Sequence, residues 1–364
     1  MNFIRVPLYL DSAPAERWIP VMKSPLLKPA IKVMSHFLKS LELILKQKKM
    51  LEFPIRHFAK RYKTILHIHY PEYLEEMLYL CRFFECSCSV YILLQFIFEL
   101  GASCTSIIFP NPADNGSLCH FRTLDWQVKL LKKTTFCLDV SKKGQLLYSN
   151  VTFVGYLGTF TSTKHNHFSV SLNYRPIQKL SVWTILRNLF RPLQGQYQLN
   201  GFALRKALEE QLPFDSFVEY LRTVPLCAAC YLMVVGSEEG VRLVRSYDST
   251  FCYSYDPYKE WGVDYLYSYQ DFCLTKVKRW GNLVQTNMDP LEYEWLKNRA
   301  YEFRKEGVLL SYSRIQWAEK VLADPKKDLT TTIQDLLQYP IVNQQSIFWC
   351  VFQAQQGLFI GSIF

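Results

Sequence analysis

Apolar residues recur at three- and four-residue spacing from Ser24 to Leu100, with few glycines and long runs of Leu, Lys and Glu. That period predicts helices. The texture changes after Cys104. "TTFCLDVSKKGQLLYSNVTFVGYLGTFTS" (134–162) alternates, is rich in β-branched and aromatic residues, and turns at a Lys-Gly pair, which predicts a strand pair. "CYLMVVGSEEGVRLVRSYDS" (230–249) predicts two strands joined at Gly236–Gly240. Three segments read as helices: "WTILRNLFRPLQGQ" (183–196), "RKALEEQLPFDSFVEYLRTV" (205–224) and "DPLEYEWLKNRAYEFRKEG" (289–307). Strands and helices come in blocks rather than in strict alternation, which argues for α+β layers. No repeat and no low-complexity linker interrupts them.

Composition narrows this picture. With half its 364 residues hydrophobic and 15% aromatic, the chain can bury a large core and is not disordered. The formal charge of +10 suits an anionic partner or a solvated basic face. No recognised nucleic-acid module accompanies that charge, so nucleic acid is not an expected partner. The 11 cysteines show neither paired CxxC motifs nor an HExxH, so no zinc site is expected. "ECSCS" (85–89) has the wrong spacing for most chelating knuckles and reads as small buried helix residues. Thiols without a framework fit a reducing compartment.

The first apolar stretch is broken by Arg5 and Pro7 and does not read as a signal peptide. The charge-free run Cys86–Phe98 is too short to span a bilayer. A protein that is cytosolic, or exported by a non-classical route, is the expectation. The two N-x-[ST] sequons, at Asn115 and Asn150, are near chance. "LKSLELILKQKKMLEFPIRHFAKRYK" (38–63) sets eight Lys/Arg against two Glu, with apolar residues between. That suits a basic amphipathic surface on anionic lipid, or equally a core helix with a solvated basic face.

The candidate chemistry lies where the two textures meet. "SCTSII" (103–108) followed by "HFRTLDW" (120–126) resembles the signature of the N-terminal-nucleophile cysteine amidases of the N-acylethanolamine acid amidase and acid ceramidase group. The likeness continues in order through "LDSAPAERWIPV" (10–21), the Cys81–Cys104 spacing with Glu99, "FVGYLGTF" (153–160), "FSVSLNYR" (168–175), "TVPLCAACYLMVVGSEEGV" (223–241), "VQTNMD" (284–289) and "YPIVNQQSIFWCV" (339–351). The resemblance implies an αββα sandwich with a helical N-terminal region, dividing the chain at 1–103 and 104–364. It implies self-cleavage before Cys104 and no cofactor. A new N-terminal cysteine carries a nucleophilic thiol and an amine base on one residue. The implied substrate is a fatty-acyl amide, with an anionic membrane surface as peripheral partner.

By the same likeness Arg122 stabilises the thiolate, Asp125 orients the ammonium, and Asn287 donates its amide to the oxyanion. Arg299 falls near a further arginine on a following helix, and Phe160 lines the acyl pocket. Three positions depart from the pattern. Phe121 replaces a glycine and Thr123 an asparagine. Tyr174, in Asn173-Tyr174-Arg175, replaces a glutamate at the catalytic centre, keeping its backbone N–H but not its carboxylate. That departure leaves room for a lipid-binding protein without activity. A bile-salt or penicillin-type acylase on the same fold is disfavoured by the helical, basic N-terminal region.

Overall fold

The computed structural model describes residues 2–99, 103–175, 190–245, 263–267, 272–278, 281–287, 305–324 and 327–364. Two sheets stack face to face. Five strands make the smaller sheet: β2 (Ser103–Asn111), β3 (Ser117–Asp125), β12 (Leu283–Gln285), β13 (Ser346–Gln353) and β14 (Leu358–Ile363), in the order β12-β2-β3-β13-β14. The larger sheet holds β1 (Arg5–Tyr9), β4 (Thr135–Lys142), β5 (Gln145–Phe153), β6 (Thr161–Lys164), β7 (Phe168–Tyr174), β8 (Cys230–Val235), β9 (Glu239–Arg245), β10 (Val263–Tyr267) and β11 (Phe272–Lys278). Its order is β1-β4-β5-β6-β7-β8-β9-β11-β10.

The longer helices form the outer layers. They are α1 (Lys28–Gln47), α2 (Lys49–His69), α3 (Pro71–Phe83), α4 (Cys88–Glu99), α5 (Asn200–Glu209), α6 (Phe214–Thr223), α7 (Lys305–Leu322) and α8 (Leu329–Leu336). Strand alternation decides which layer each side chain meets. Ile107, Phe109, Cys119, Phe121 and Val351 point outward from the small sheet, onto Ile315, Ala318 and Val321 of α7 and Ile333 and Leu336 of α8. From the opposite face Ile108 and Leu118 pack on Met233, Val235 and Val277 of the large sheet. The outer face of the large sheet packs on the remaining helices, as where Phe168 meets Phe217 with ring centroids 4.6 Å apart. The result is the αββα sandwich.

The N-terminal region is mostly helical, but it also supplies β1, which runs parallel to β4 with Arg5 opposite Cys137. Pro7 is tolerated there because β1 is an edge strand and its missing N–H leaves no ladder bond unmade. Two buried groups tie this region to the rest. Glu76 of α3 receives Arg205 of α5 through two bonds, at 2.7 and 2.8 Å, together with Arg17 at 3.1 Å and the Trp18 indole at 2.7 Å. Burial works against its charge, but Arg205 and Arg17 hold its carboxyl below the usual range. Gln95 of α4 donates to the Gly155 carbonyl at 2.9 Å and accepts from Leu157 N–H at 2.9 Å.

Two sequence expectations need correction, and two more fall partly outside the described residues. The segment 205–224 is two helices, because Pro213 and Gln211, with φ 55°, break the run. "ECSCS" forms the elbow between α3 and α4 rather than a helix interior. Of 183–196, only residues from 190 on are described, ending in a 3-10 turn at Arg191–Gln194; 289–304 likewise lies outside the described residues.

Candidate active site

Strands β2 and β3 build the site. Their register sets Cys104 opposite Leu124, Ser106 opposite Arg122, and Ile108 opposite His120. Residues two apart share a face, so Cys104, Ser106, Arg122 and His120 all point between the sheets. There they meet Ser169, Ser171 and Asn173, the alternate residues of β7. The thiol of Cys104 is fully buried. Arg122 Nη2 donates to Cys104 Sγ at 3.0 Å and to the Leu172 carbonyl at 2.8 Å. Its Nη1 donates to Ser106 Oγ at 3.1 Å and to Asn173 Oδ1. A buried guanidinium is costly unless it is hydrogen-bonded in this way.

The polar layer continues away from the thiol. Ser106 and Ser171 share a hydrogen bond of 2.8 Å, and His120 bridges Ser169 and Ser171 at 2.9 Å each. Burial, with Arg122 adding, pushes the imidazole down to about 3, so His120 is neutral and serves as a hydrogen-bond bridge. Burial also raises the Cys104 thiol; Arg122 and Arg314 draw it down, while Asp125 pushes it up.

Asp125 lies one residue beyond this face and opposite Ser103, next to the peptide bond that precedes Cys104. Its carboxylate turns to the outer layer. Arg314 of α7 pairs with it at 2.9 Å and Ser346 donates at 2.5 Å. Arg122 and Asp125 thus occupy opposite faces of one strand and do not pair. Burial raises the Asp125 carboxyl, against the pull of Arg314, Ser346 and Arg122. Arg314 was missed in the sequence, although it sits within the apolar stripe Ser311, Arg314, Ile315, Ala318, Val321, all buried. A charge inside an apolar stripe was the available signal. Arg299 lies outside the described residues.

Asn287 lies beside Cys104. Its Oδ1 accepts the Cys104 backbone N–H at 2.5 Å and its Nδ2 donates to the Tyr174 carbonyl at 2.8 Å. Donor and acceptor fix the amide: an N–H must face oxygen, and a carbonyl must face NH₂. Asn287 therefore holds the backbone nitrogen of Cys104 through its Oδ1 and the Tyr174 carbonyl through its Nδ2.

Beside these groups lies a pocket lined by Phe98, Glu99, Leu124, Phe160, Leu172, Tyr174 and Asn200. Phe160 stacks on Tyr156 with centroids 4.6 Å apart, so it serves the core and the pocket wall together. Tyr174 is half-buried at the pocket. Glu99, the last residue of α4, accepts from Asn200 and Gly201 N–H at the start of α5 and from the Tyr156 hydroxyl, each at 3.0 Å. Burial outweighs those bonds and pushes its carboxyl up to about 7. Gly201 is required here, since a Cβ would sit 1.9 Å from Tyr156 Oη. Among the described residues no cluster of His, Cys, Asp and Glu is arranged to hold a metal ion.

The stacked sheets between helical layers, with a buried cysteine at the head of a central strand, define the fold of the N-terminal-nucleophile hydrolases. A solved structure with this architecture is that of the Caenorhabditis elegans N-acylethanolamine-hydrolyzing acid amidase ortholog, matched with a TM-score of 0.51 at 24% identity, over 69% of this chain and 93% of that one. No family model matches the chain. It is 27% identical to the N-acylethanolamine-hydrolyzing acid amidase of Oryctolagus cuniculus, over 95% of this chain and 85% of that protein. It is 27% identical to the acid ceramidase of Bos taurus, over 97% and 85%. An uncharacterized protein of Acanthamoeba polyphaga mimivirus is 26% identical over 72% of each chain. The chain is thus a homologue of the N-acylethanolamine-hydrolyzing acid amidases and acid ceramidases.

Proposed function

We propose that the chain is a self-processing cysteine amidase that hydrolyses fatty-acyl amides, either N-acylethanolamines or ceramide-like lipids, to a fatty acid and an amine. The observation that carries this reading is the buried Cys104 thiol 3.0 Å from Arg122 Nη2, with its own nitrogen bound to Asn287. A guanidinium so placed favours the thiolate. Attack of Cys104 Sγ on the Ser103 carbonyl breaks the Ser103–Cys104 C–N bond, the nitrogen taking the thiol proton to become the Cys104 amine, and water then hydrolyses the Ser103 thioester to leave a carboxylate and the free thiol. Asn287 Oδ1 is placed to hold that amine, and the negative charge of Asp125 nearby favours its protonated form.

In turnover the thiolate attacks the substrate carbonyl carbon, and the Tyr174 N–H is the proposed oxyanion donor. The C–N bond breaks as the Cys104 ammonium gives its proton to the leaving amine. Water then attacks the thioester, releasing the fatty acid and restoring the thiol. The apolar walls formed by Phe98, Leu124, Phe160 and Leu172 suit an acyl chain.

Peripheral binding to anionic membrane belongs to the same proposal. At the corner between α1 and α2, Leu43, Ile44 and Phe53 are exposed, Phe53 to 76%, near the exposed Lys46 and Lys48. Apolar side chains ringed by cations suit a lipid surface. Intact-protein mass spectrometry tests the processing: the native chain should yield fragments 1–103 and 104–364, and Cys104→Ala should stay whole. Amide hydrolysis by wholly uncleaved protein would overturn the mechanism. A native chain that neither cleaves nor hydrolyses would instead favour a lipid-binding protein, the reading that Tyr174 motivates.

A further inference from the structure

The polar network that leads from the Cys104 thiol into the space between the sheets has a direction, because its hydrogens can be placed one after another. Asn173 Nδ2 faces two carbonyls, those of Gln285 at 3.1 Å and Thr286 at 3.4 Å. That fixes the amide, so Oδ1 is the acceptor on its other side. Ser106 Oγ lies 3.0 Å from this Oδ1. A carbonyl oxygen carries no hydrogen, so the Ser106 hydroxyl donates there and has no second hydrogen to give. The 2.8 Å bond between Ser106 and Ser171 is therefore donated by Ser171. Ser171 is then spent as well, and its 2.9 Å bond to His120 Nε2 is donated by the imidazole. Burial and the Arg122 charge keep that ring neutral. A neutral ring with its hydrogen on Nε2 has a bare Nδ1, which accepts the Ser169 hydroxyl at 2.9 Å.

We propose that His120, as the neutral Nε2–H tautomer, is a positioning residue: its donation to Ser171 sets the direction of the network that presents the Ser106 oxygen to Arg122 and holds the guanidinium against Cys104. Both lone pairs of Ser106 are used in this arrangement. One takes the Ser171 hydroxyl and the other takes Arg122 Nη1 at 3.1 Å. With Nη1 also held by Asn173 Oδ1, Nη2 is left to span Cys104 Sγ at 3.0 Å and the Leu172 carbonyl at 2.8 Å. Ser106, His120, Arg122, Ser169, Ser171 and Asn173 are all buried. At the far end the interior turns apolar, where Ile108 and Leu118 pack on Met233 and Val235. The ring of Phe352 lies beside the imidazole with centroids 5.9 Å apart. A network closed in this way orients its members rather than carrying protons to water, and each bond polarises the next.

The effect on turnover rests on the amidase reading, whereas the tautomer does not. Glutamine and asparagine separate positioning from packing. Gln places its NH₂ at about the reach of Nε2 and keeps a donor for Ser171; Asn reaches only the Nδ1 position and loses it. In His120→Asn the acid limb of the pH–rate profile, for formation of fragment 104–364 and for fatty-acyl ethanolamide hydrolysis, should move up by roughly 1 pH unit, the low end of what an adjacent opposite charge contributes. His120→Gln should recover most of that shift. Ser171→Ala, a smaller change, cuts the same link and should move the limb in the same direction as Asn. Nitrogen NMR of the full chain, isotope-labelled at histidine and carrying Cys104→Ala, reads the tautomer without turnover. The His120 signals, assigned by their loss in a further His120→Gln substitution, should show a protonated Nε2 and a bare Nδ1 that do not titrate between about pH 5 and 8. A protonated Nδ1, titration within that window, or equal profiles for Asn and Gln would each overturn the proposal. A chain that neither cleaves nor hydrolyses would sink the amidase reading alone, and the NMR spectrum would still decide the direction of the network.

Discussion

Replacing Glu99 with Gln should remove a pH dependence from the stability of the fold. Burial raises the Glu99 carboxyl to about 7 from the ordinary 4.5, although Gly201, Tyr156 and Asn200 all donate to it. The folded chain then holds this proton more tightly than the unfolded chain does. Between pH 4.5 and 7 the native state binds more protons than the unfolded state, so stability falls as pH rises through that window. A shift of this size at about 1.4 kcal/mol per pH unit amounts to roughly 3 kcal/mol. Glutamine keeps one acceptor oxygen but turns an NH₂ toward a backbone N–H. That should cost about 1–3 kcal/mol at low pH and add no titration. The stability advantage of Glu99 over Gln should therefore be largest near pH 4.5, and should shrink by roughly 3 kcal/mol by pH 8. Urea unfolding of both forms at half-unit pH steps, in a Cys104→Ala background so that a single chain unfolds, measures the difference. Other carboxylates cancel in the subtraction. A difference that stays constant from pH 4.5 to 8 would show that Glu99 is not held protonated and would refute the reasoning.

Arg314→Met and Asp125→Asn should each destabilise the fold by about 3–5 kcal/mol, because each leaves its partner as an uncompensated buried charge or dipole. In urea unfolding the double variant should cost at least about 1 kcal/mol less than the sum of the two; strict additivity would mean that the 2.9 Å pair carries no coupling. Tyr174→Glu should move the optimum of fatty-acyl ethanolamide hydrolysis downwards in a pH–rate profile, by restoring a carboxylate at the pocket; unchanged profiles would remove position 174 from the pH response. Charge reversal at Lys46 and Lys48 should weaken vesicle binding at low salt, each cation being worth about 1 kcal/mol at an anionic surface, and equal binding to neutral vesicles would point to a plain solvated face.

Cys104 and its arginine were legible because both sit in one short motif on adjacent strands, and α+β layers followed from the switch of period after Cys104, while the αββα sandwich came only from the family resemblance. The face of Asp125 was legible in principle, since residues three apart on a strand point to opposite sides, but its partner Arg314 on α7 was not. Asn287 was found by its match, and its amide orientation depended on two backbone groups, of Cys104 and Tyr174, that only the packed sheets bring together. The strand "FSVSLNY" illustrates a deeper limit. Its alternate Ser169, Ser171 and Asn173 look like a solvent face, yet they are buried against His120 and Arg122. Alternation reports two faces but not which of them meets a second sheet. Arg314 belongs to the same lesson, since its partner lies on a strand far away in sequence.

Strand β1 and Glu76 have a consequence for the order of events in the life of the chain. β1 has no neighbour until residues 135–142 exist, and Glu76 has no counter-ion on α5 until Arg205 does. Ser106 and Arg122 meet the Asn173 side chain only once the two sheets have closed on each other. Under the proposed reading, the thiol is poised against the bond before it only after segments from both ends of the chain have docked. Scission would then be the last act of maturation, and each severed molecule would carry a permanent receipt that it had reached its native state.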